Sequence, residues 1–142
     1  MCVDSARSLE AVYHELIPIS VHMGIRVSSW DGALLVLNAP LANNINHQQS
    51  AFGGSLFSLA ALAGWGLLQL KLSELNLDCN TVIAGGDVSY SLPVYEELNC
   101  ECAVHDNWPE VISKLRKKGK GSLVLTSKIT TGDGAAMSFT GN

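Results

Sequence analysis

The chain has 142 residues, of which 47% are hydrophobic and 15% are charged. This composition argues against disorder, and the length suits one domain with a substantial core, spanning residues 1–142. The net charge of −4 gives no support for nucleic-acid binding. The high apolar content favours an oligomer that hides additional surface.

The first third of the chain predicts a helix followed by a hairpin. Five apolar residues fall at helical spacing, namely Leu9, Val12, Tyr13, Leu16 and Ile17. Pro18 is predicted to end that helix. Residues 20–30 are predicted to form a strand, Asp31-Gly32 a tight turn, and residues 33–40 the returning strand.

A polar, uncharged loop over residues 41–50 precedes the longest predicted element, a helix over residues 51–75. This helix is apolar nearly all the way round, which is typical of a helix wrapped by other structure. Its most apolar part, residues 56–70, is shorter than the ~20 residues that a membrane span needs. We therefore expect a core helix and no membrane partner.

The second half predicts strands over residues 81–92, 97–105, 122–131 and 135–141. In the first of these, alternation places Val82, Val88 and Tyr90 on one face and Asp87 on the other. A short helix is predicted to begin at Asn107-Trp108-Pro109. The order of elements predicts an α+β fold, in which one antiparallel sheet curls around the long helix.

The four cysteines are Cys2, Cys79, Cys100 and Cys102, and none has the spacing of a metal site. Cys100 and Cys102 share one face of a predicted strand, too close along the chain for ordinary disulfide geometry. Free thiols and the lack of a signal-peptide pattern predict a cytoplasmic protein without a metal.

The most informative segment is NINHQQSAFGGS over residues 44–55, within a stretch that has no charged side chain from residue 32 to residue 70. A buried helix that opens on Gly53 and Gly54 presents backbone N–H groups and the positive end of its macrodipole. Such an N-terminus suits a carbonyl oxygen that becomes an anion during reaction. We predict the active site here; the alternative is that the glycines only allow close packing.

The run NINHQQSAFGGSLFSLAALAGWGLLQLKL resembles a thioesterase-like family related to the C-terminal domain of YiiD. In that family an Asn-x-Asn, a small hydroxyl residue, a Phe-Gly-Gly-Ser and a Gly-Trp-Gly follow one another at this spacing. The IPIS and YSLPV segments also fit, so the resemblance covers essentially the whole chain. It implies a hot-dog fold, in which a curved antiparallel sheet wraps one long central helix.

The resemblance further implies acyl thioesters as substrates, carried on coenzyme A or acyl carrier protein, and no cofactor beyond that carrier. It implies a homodimer with sites near the subunit boundary, and it leaves open whether such dimers pair into a tetramer. Related hydrolases have His-Gly-Gly where this chain has Phe52-Gly53-Gly54, and their catalytic asparagine falls on Asn46. Their helix carboxylate falls on Ala61, so that carboxylate is missing.

Three functions remain open at this stage. The first is a thioesterase, and the second is a malonyl-thioester decarboxylase of the kind that initiates fatty-acid synthesis. A nearby carboxylate would repel a malonyl group, so Ala61 fits the second. The third is a non-catalytic acyl-binding domain.

The candidate catalytic residues are Asn46, Gly54 and Asn44, and the candidate substrate-binding residues are Ser50, Phe52, Gly53, Ser55, Trp65, Arg116 and Lys117. Loop shaping is the alternative for the asparagines, because asparagine readily caps turns. Ser50 is also a candidate helix N-cap. Trp65 lines an acyl tunnel or packs in the core or dimer interface, and Asp87 is the reserve carboxylate.

Arg116 and Lys117 belong to a basic stretch, since five of the nine lysines and arginines lie between residues 114 and 120. Such a patch attracts a coenzyme A phosphate or an acidic carrier protein. The alternative is that these cations complement the C-terminus of a short helix.

Overall fold

The computed structural model describes residues 5–142, and Cys2 lies outside them. The described α-helices are α1 (Ala6–Leu16), α2 (Pro18–Met23), α3 (Gly53–Glu74) and α4 (Trp108–Lys118). The described strands are β1 (Arg26–Trp30), β2 (Leu34–Ala39), β3 (Gly86–Tyr90), β4 (Leu98–Ala103), β5 (Leu125–Thr131) and β6 (Gly134–Gly141).

The six strands form one antiparallel sheet in the order β1-β2-β4-β5-β6-β3. Helix α3 packs across β2, β4, β5 and β6. The predicted α+β arrangement of one sheet around one long helix is therefore confirmed. β1 and β3 are the two edge strands, and β3 has one backbone edge without a partner strand among the described residues.

Helix α3 is buried on several sides, as its sequence predicts. Leu59, Leu67 and Leu70 are each at most 1% exposed. The helix is long and apolar enough to cross a membrane by length and composition alone, but here the sheet surrounds it. Tyr13 of α1 is buried against it, and its hydroxyl donates to the Leu62 carbonyl over 2.5 Å. Burial raises the pKa of this hydroxyl well above its ordinary value.

The thiols of Cys79, Cys100 and Cys102 are free, as predicted. Cys100 and Cys102 both point from β4 into the core, where Leu98 is also buried. Burial raises the pKa of the Cys100 and Cys102 thiols above their ordinary value. Both groups are therefore small core side chains in their protonated form.

Two predicted strands are wrong in part. Pro18 does not merely end α1, because it occupies the first turn of α2. Helix α2 ends at Met23 and is capped by Gly24, whose φ is 73°, so the strand predicted over residues 20–30 begins only at Arg26. In the second case, residues 81–85 lie outside β3. The amides of Ala84 and Gly85 donate to the Asn142 carbonyl over 2.7 and 3.4 Å, outside the ladder of β3 and β6, and the Val82 side chain is 84% exposed.

The sheet has two ends that matter for function. At one end, called here the glycine end, β2 leads through a short 3-10 turn at Leu41–Asn43 towards the start of α3. At the other, called here the α4 end, the hairpin between β1 and β2 lies beside the junction of β4 and α4, because Leu34 pairs with Ala103. The two ends are separated by the length of the strands, ~20 Å for the six residues of β2.

Candidate active site

The loop before α3 is a miniature hairpin that fixes the position of the glycines. The Phe52 amide donates to the Asn44 carbonyl over 2.7 Å, and Ile45 bridges Ala51. The Ala51 amide donates to the Val94 carbonyl, also over 2.7 Å. These bonds tie the loop both to itself and to the segment before β4.

Asn46 closes the tip of this hairpin. Its Nδ2 donates to Ser50 Oγ over 2.9 Å, and its Oδ1 accepts from the amides of Gln48 and Ser50 over 2.8 and 3.2 Å. Gln49 between them has a φ of 65°, so the turn includes a left-handed residue. The Asn46 side chain is half-buried and the Ser50 side chain is buried. Both polar atoms of the Asn46 amide thus hold the turn.

Asn44 is turned into the protein. Its side chain is 2% exposed, and its Nδ2 donates to the carbonyls of Met23 and Pro40 over 2.9 and 2.8 Å. Its Oδ1 is buried without a hydrogen-bond partner among the described residues. This geometry favours the loop-shaping alternative for Asn44, because both amide hydrogens are engaged with backbone.

The sequence made Ser50 a candidate N-cap of the long helix, but Ser50 is not its N-cap in the structure. Helix α3 starts at Gly53, two residues later than predicted, and Phe52 is its N-cap without a side-chain hydrogen bond. Ser50 cannot reach the first turn because its backbone is paired with Asn46. The half-buried Ser55 donates its amide to the Phe52 carbonyl over 2.9 Å.

The N–H groups of Gly53 and Gly54 are therefore without a hydrogen-bond partner in residues 5–142. The next two amides, those of Ser55 and Leu56, both return to the Phe52 carbonyl. Two free donors consequently stand at the N-terminus of a 22-residue helix, where the macrodipole adds positive potential. This is the arrangement that binds an oxyanion.

Two aromatic rings flank this donor pair. A methyl group added at Gly54 would meet the Phe52 ring, with Cζ at 2.9 Å, and one added at Gly53 would lie 3.6 Å from Cε1 of Tyr90. The Tyr90 hydroxyl donates to the Gly53 carbonyl over 3.0 Å. Phe52 and Tyr90 are each 55% exposed. We call the two glycine amides and these two rings the aromatic slot.

Sequence reasoning missed the role of Tyr90. It belongs to YSLPV, a segment that carried the resemblance, but β-strand alternation alone gave it no function. Its link to Gly53 spans 37 positions. The sequence indicated only an aromatic residue near the end of a predicted strand. It did not indicate that this strand end lies beside the start of α3.

No carboxylate of residues 5–142 is hydrogen-bonded to Phe52, Gly53, Gly54 or Tyr90. Asp87 lies exposed on β3, and Glu96 accepts from the Gly132 amide over 3.1 Å. His47 is exposed at the hairpin tip. Residues 5–142 contain no group of three or more His, Cys, Asp or Glu side chains arranged for a metal ion.

An apolar cavity of about 50 Å³ lies further along α3, beside Ala61, Gly64, Trp65 and Leu68. Its opposite wall comes from the sheet and the segment after α3, including Val82, Ile83, Leu123, Leu125 and Phe139. Seven residues separate Gly54 from Ala61, which is ~10 Å along a helix axis. The Trp65 ring lines this cavity and also packs on Tyr13, with centroids 5.8 Å apart.

Arg116 and Lys117 lie exposed on α4. Because α4 is at the α4 end, the structure does not bring these two residues together with Gly53 and Gly54 of the same chain. The six residues of β4 span ~20 Å between the two ends.

Comparison with known proteins decides the family. The family described as "Putative thioesterase (yiiD_Cterm)" matches residues 6–142. The chain belongs to this YiiD C-terminal thioesterase family. The resemblance predicted from the sequence is confirmed.

Solved structures agree with the family. A protein of unknown function from Chlorobaculum tepidum is 33% identical with a TM-score of 0.92, over 96% of this chain and 90% of that one. A "putative thioesterase" from Shewanella oneidensis is 29% identical with a TM-score of 0.89, over 96% and 93%. A thioesterase from Haemophilus influenzae, 12% identical over 98% and 88% with a TM-score of 0.70, shares the fold. The predicted hot-dog fold is confirmed.

Proposed function

We propose that this member of the YiiD C-terminal family hydrolyses acyl thioesters carried by coenzyme A or acyl carrier protein. The observation that carries the proposal is the pair of free N–H groups at Gly53 and Gly54. The apolar cavity beside Trp65 supports it, because an acyl chain needs an apolar seat. Family membership supports thioesterase chemistry in general, and the carrier and the acyl group are our assignment.

The reaction follows from the donors. The thioester carbonyl oxygen lies between the two glycine amides, and water adds to the carbonyl carbon. The negative charge that develops on oxygen is stabilised there, and one such donor contributes ~3–4 kcal/mol to the rate. The carbon–sulfur bond then breaks to give a carboxylic acid and a thiol. Asn46 is not a general base, and we assign it to positioning of the hairpin that presents the slot.

A second candidate function has its own supporting observation. Ala61 stands where related hydrolases carry a carboxylate, and its side chain faces the apolar cavity. A malonyl thioester loses carbon dioxide when its carbon–carbon bond breaks, which leaves an enolate on the thioester oxygen. The same two amides stabilise that enolate, and protonation at carbon gives an acetyl thioester. No base is needed for this reaction.

We propose a homodimer as the working form. Edge strand β3 leaves a row of backbone groups unpaired, and exposed apolar side chains lie on it or beside it, including Val82, Ile83, Tyr90 and Leu92. An open edge of this kind pairs readily with another strand. A two-fold axis would join two β3 strands antiparallel and cover the aromatic slot.

Product analysis separates the candidate functions. The protein is incubated with malonyl and long-chain acyl carrier protein, and intact carrier masses are followed with time. Free thiol from either substrate indicates hydrolysis, and acetyl carrier from malonyl carrier indicates decarboxylation. We expect one of these products to form. Unchanged carriers with tight binding would replace both proposals with a binding role.

Asn46→Asp distinguishes the two chemistries further. The carboxylate still accepts from the amides of Gln48 and Ser50, and the Ser50 hydroxyl reverses to donate to it, so the hairpin persists. The new negative charge should lower turnover of malonyl thioester at least about tenfold relative to acetyl thioester, since like charges repel. Parallel kcat/KM measurements on both substrates test this. Equal losses on both substrates would show that a charge at position 46 lies too far from the slot to repel the malonyl group, and Asn46→Ala measures the loss that comes from the hairpin alone.

A further inference from the structure

The most uneven feature of the surface is the charge on α4 and the residues after it. Residues 108–120 contain five cations and one carboxylate, a net +4, while the whole chain carries −4, so the remainder carries −8. All five cations are exposed: Lys114, Arg116, Lys117, Lys118 and Lys120. None of them has an ion-pair partner in the part of the chain that the structure describes.

Complementing the helix dipole explains only part of this pattern. Arg116, Lys117 and Lys118 lie in the last turn of α4, where cations are favourable. Lys114 lies earlier and faces both Lys117 and Lys118 at spacings of three and four residues, where like charges destabilise a helix. A local conflict of this kind without compensation within the chain indicates a function.

Helix α4 also has room for a partner. Ile112 is its one buried side chain, so most of the helix surface is open. A broad, shallow cleft beside it is lined by Lys114, Lys117, Lys118, Ser122 and Asn107, among others. The Oδ1 atom of Asn107 is buried without a hydrogen-bond partner among the described residues.

We infer that this basic surface, formed by α4 and Lys120, docks an acidic carrier protein that bears the acyl thioester. The inference rests on the proposed function and names the carrier that the sequence left open. The cations are spread along an exposed helix rather than converging on one point, which suits a row of carboxylates on a protein better than one phosphate. The opposite charge of the rest of the chain orients such a partner towards α4.

The geometry indicates that a carrier docked on one subunit delivers its acyl group to the aromatic slot of the partner subunit. Within one chain the basic surface and the aromatic slot lie at opposite ends of the sheet, separated by three strand spacings from β3 to β4, ~14 Å, and by the length of the six-residue strand β4, ~20 Å, which is ~24 Å in all. Antiparallel pairing of two β3 edges brings the partner's α4 to the same end as this chain's Gly53. Counting across the joined sheet, four strand spacings separate β3 from the partner's β4, which is ~19 Å. The path across the dimer is the shorter one.

The first test removes three charges. Variant A carries Lys114→Gln, Lys117→Gln and Lys118→Gln; control variant B carries Arg7→Gln, Arg26→Gln and Lys128→Gln, three exposed cations elsewhere. Variant A should raise KM for an acyl carrier substrate at least about tenfold and flatten its salt dependence. Its kcat, and its kcat/KM on the same acyl group attached to free pantetheine, should match control B. Equal KM values for variants A and B on the carrier substrate would overturn the docking surface. So would a loss of kcat/KM by variant A on the pantetheine substrate as large as its loss on the carrier substrate.

Binding of the carrier without any acyl group, measured by titration calorimetry, separates the two levels of inference. Suppose that the wild-type protein binds the carrier but turns over no thioester, and that variant A does not bind. This result supports the docking surface and overturns the proposed function. If the wild-type protein turns over the carrier thioester and variant A binds the carrier as tightly as wild type, the docking surface is overturned and the proposed function is supported.

Mixed dimers test delivery across the subunits. Subunits of variant A are combined with subunits that carry Gly54→Ala, so that mixed dimers have one intact slot opposite one intact basic surface. Half of the dimers are mixed and each has one complete site, so carrier turnover should reach about a quarter of the wild-type value. If carrier turnover by the mixture does not exceed that of the two variants measured separately, the carrier delivers its acyl group to the slot of the same subunit on which it docks.

Discussion

Replacing Gly54 by alanine is expected to lower kcat/KM on thioester substrates by about 100- to 1000-fold, the loss that follows removal of one oxyanion donor. The added methyl group would approach Cζ of Phe52 to 2.9 Å and the ring edge more closely still, so the ring has to move. A displaced Phe52 ring and the methyl group together obstruct the approach of a carbonyl oxygen to the Gly54 amide.

The fold should survive this substitution. Gly54 has no positive φ, and alanine is a better helix former than glycine. The midpoint of thermal unfolding should therefore stay within a few degrees of wild type, measured by circular dichroism. Gly132→Ala is the matched control, because a methyl there meets nothing within 4 Å and the residue lies in the turn between β5 and β6. Full activity in the Gly54 variant would show that this amide takes no part in the chemistry.

The layout around the slot was predictable because its signals are local. The uncharged hairpin, the glycine pair and the apolar run are contiguous over residues 44–75. Because α3 is apolar nearly all the way round, it is predicted to be buried, and a buried helix that opens on two glycines is predicted to present free amides. The structure bears out that chain of reasoning from Phe52 to Leu72. The predicted start of α3 was two residues too early. Serine is a common N-cap residue, but Ser50 is hydrogen-bonded to Asn46 and does not cap the helix.

Long-range features were not predictable in this way. The bond from Tyr90 to Gly53, and the two bonds from Asn44 to Met23 and Pro40, depend on how separate segments meet. Alternation predicted a face for Tyr90 but not that β3 is an edge strand, which leaves its side chains exposed. The placement of Lys117 at the far end of the sheet from Gly53 follows from the pairing of β2 with β4, and sequence spacing carries no information on it.

The donor pair also explains why the sequence left two reactions open. Hydrolysis and decarboxylation both develop negative charge on the same thioester oxygen, and in our proposal the Gly53 and Gly54 amides stabilise either charge. The reactions differ in what surrounds the rest of the substrate. Hydrolysis needs a positioned water and a base, whereas decarboxylation needs a neutral seat for a carboxylate that leaves as carbon dioxide. Ala61 and the uncharged hairpin fit the second environment within one chain, which is why we keep decarboxylation as the second candidate function.

The two glycines beside Trp65 are expected to respond to alanine in opposite directions. A methyl at Gly66 would meet the Tyr13 hydroxyl, with Cζ at 2.9 Å and Leu9 Cδ2 at 3.0 Å. These atoms are fully buried, so they have little space to yield. Overpacking and the loss of the bond from Tyr13 to Leu62 outweigh the gain in helix propensity, and we expect a loss of about 3 kcal/mol in the free energy of unfolding. For 142 residues this lowers the unfolding midpoint by roughly 10 °C.

At Gly64 the nearest atom to an added methyl is Leu125 Cδ1, at 3.9 Å. That contact is an ordinary one, so the gain from replacing glycine in a helix should dominate, at about 0.5–1 kcal/mol. Urea unfolding of both variants measures the contrast, with Gly64→Ala as the control for helix propensity. Adding Tyr13→Phe to Gly66→Ala removes the hydroxyl that the methyl meets and should recover part of the loss. Additive effects of Tyr13→Phe and Gly66→Ala would contradict the steric cause, because residues that clash directly must be coupled.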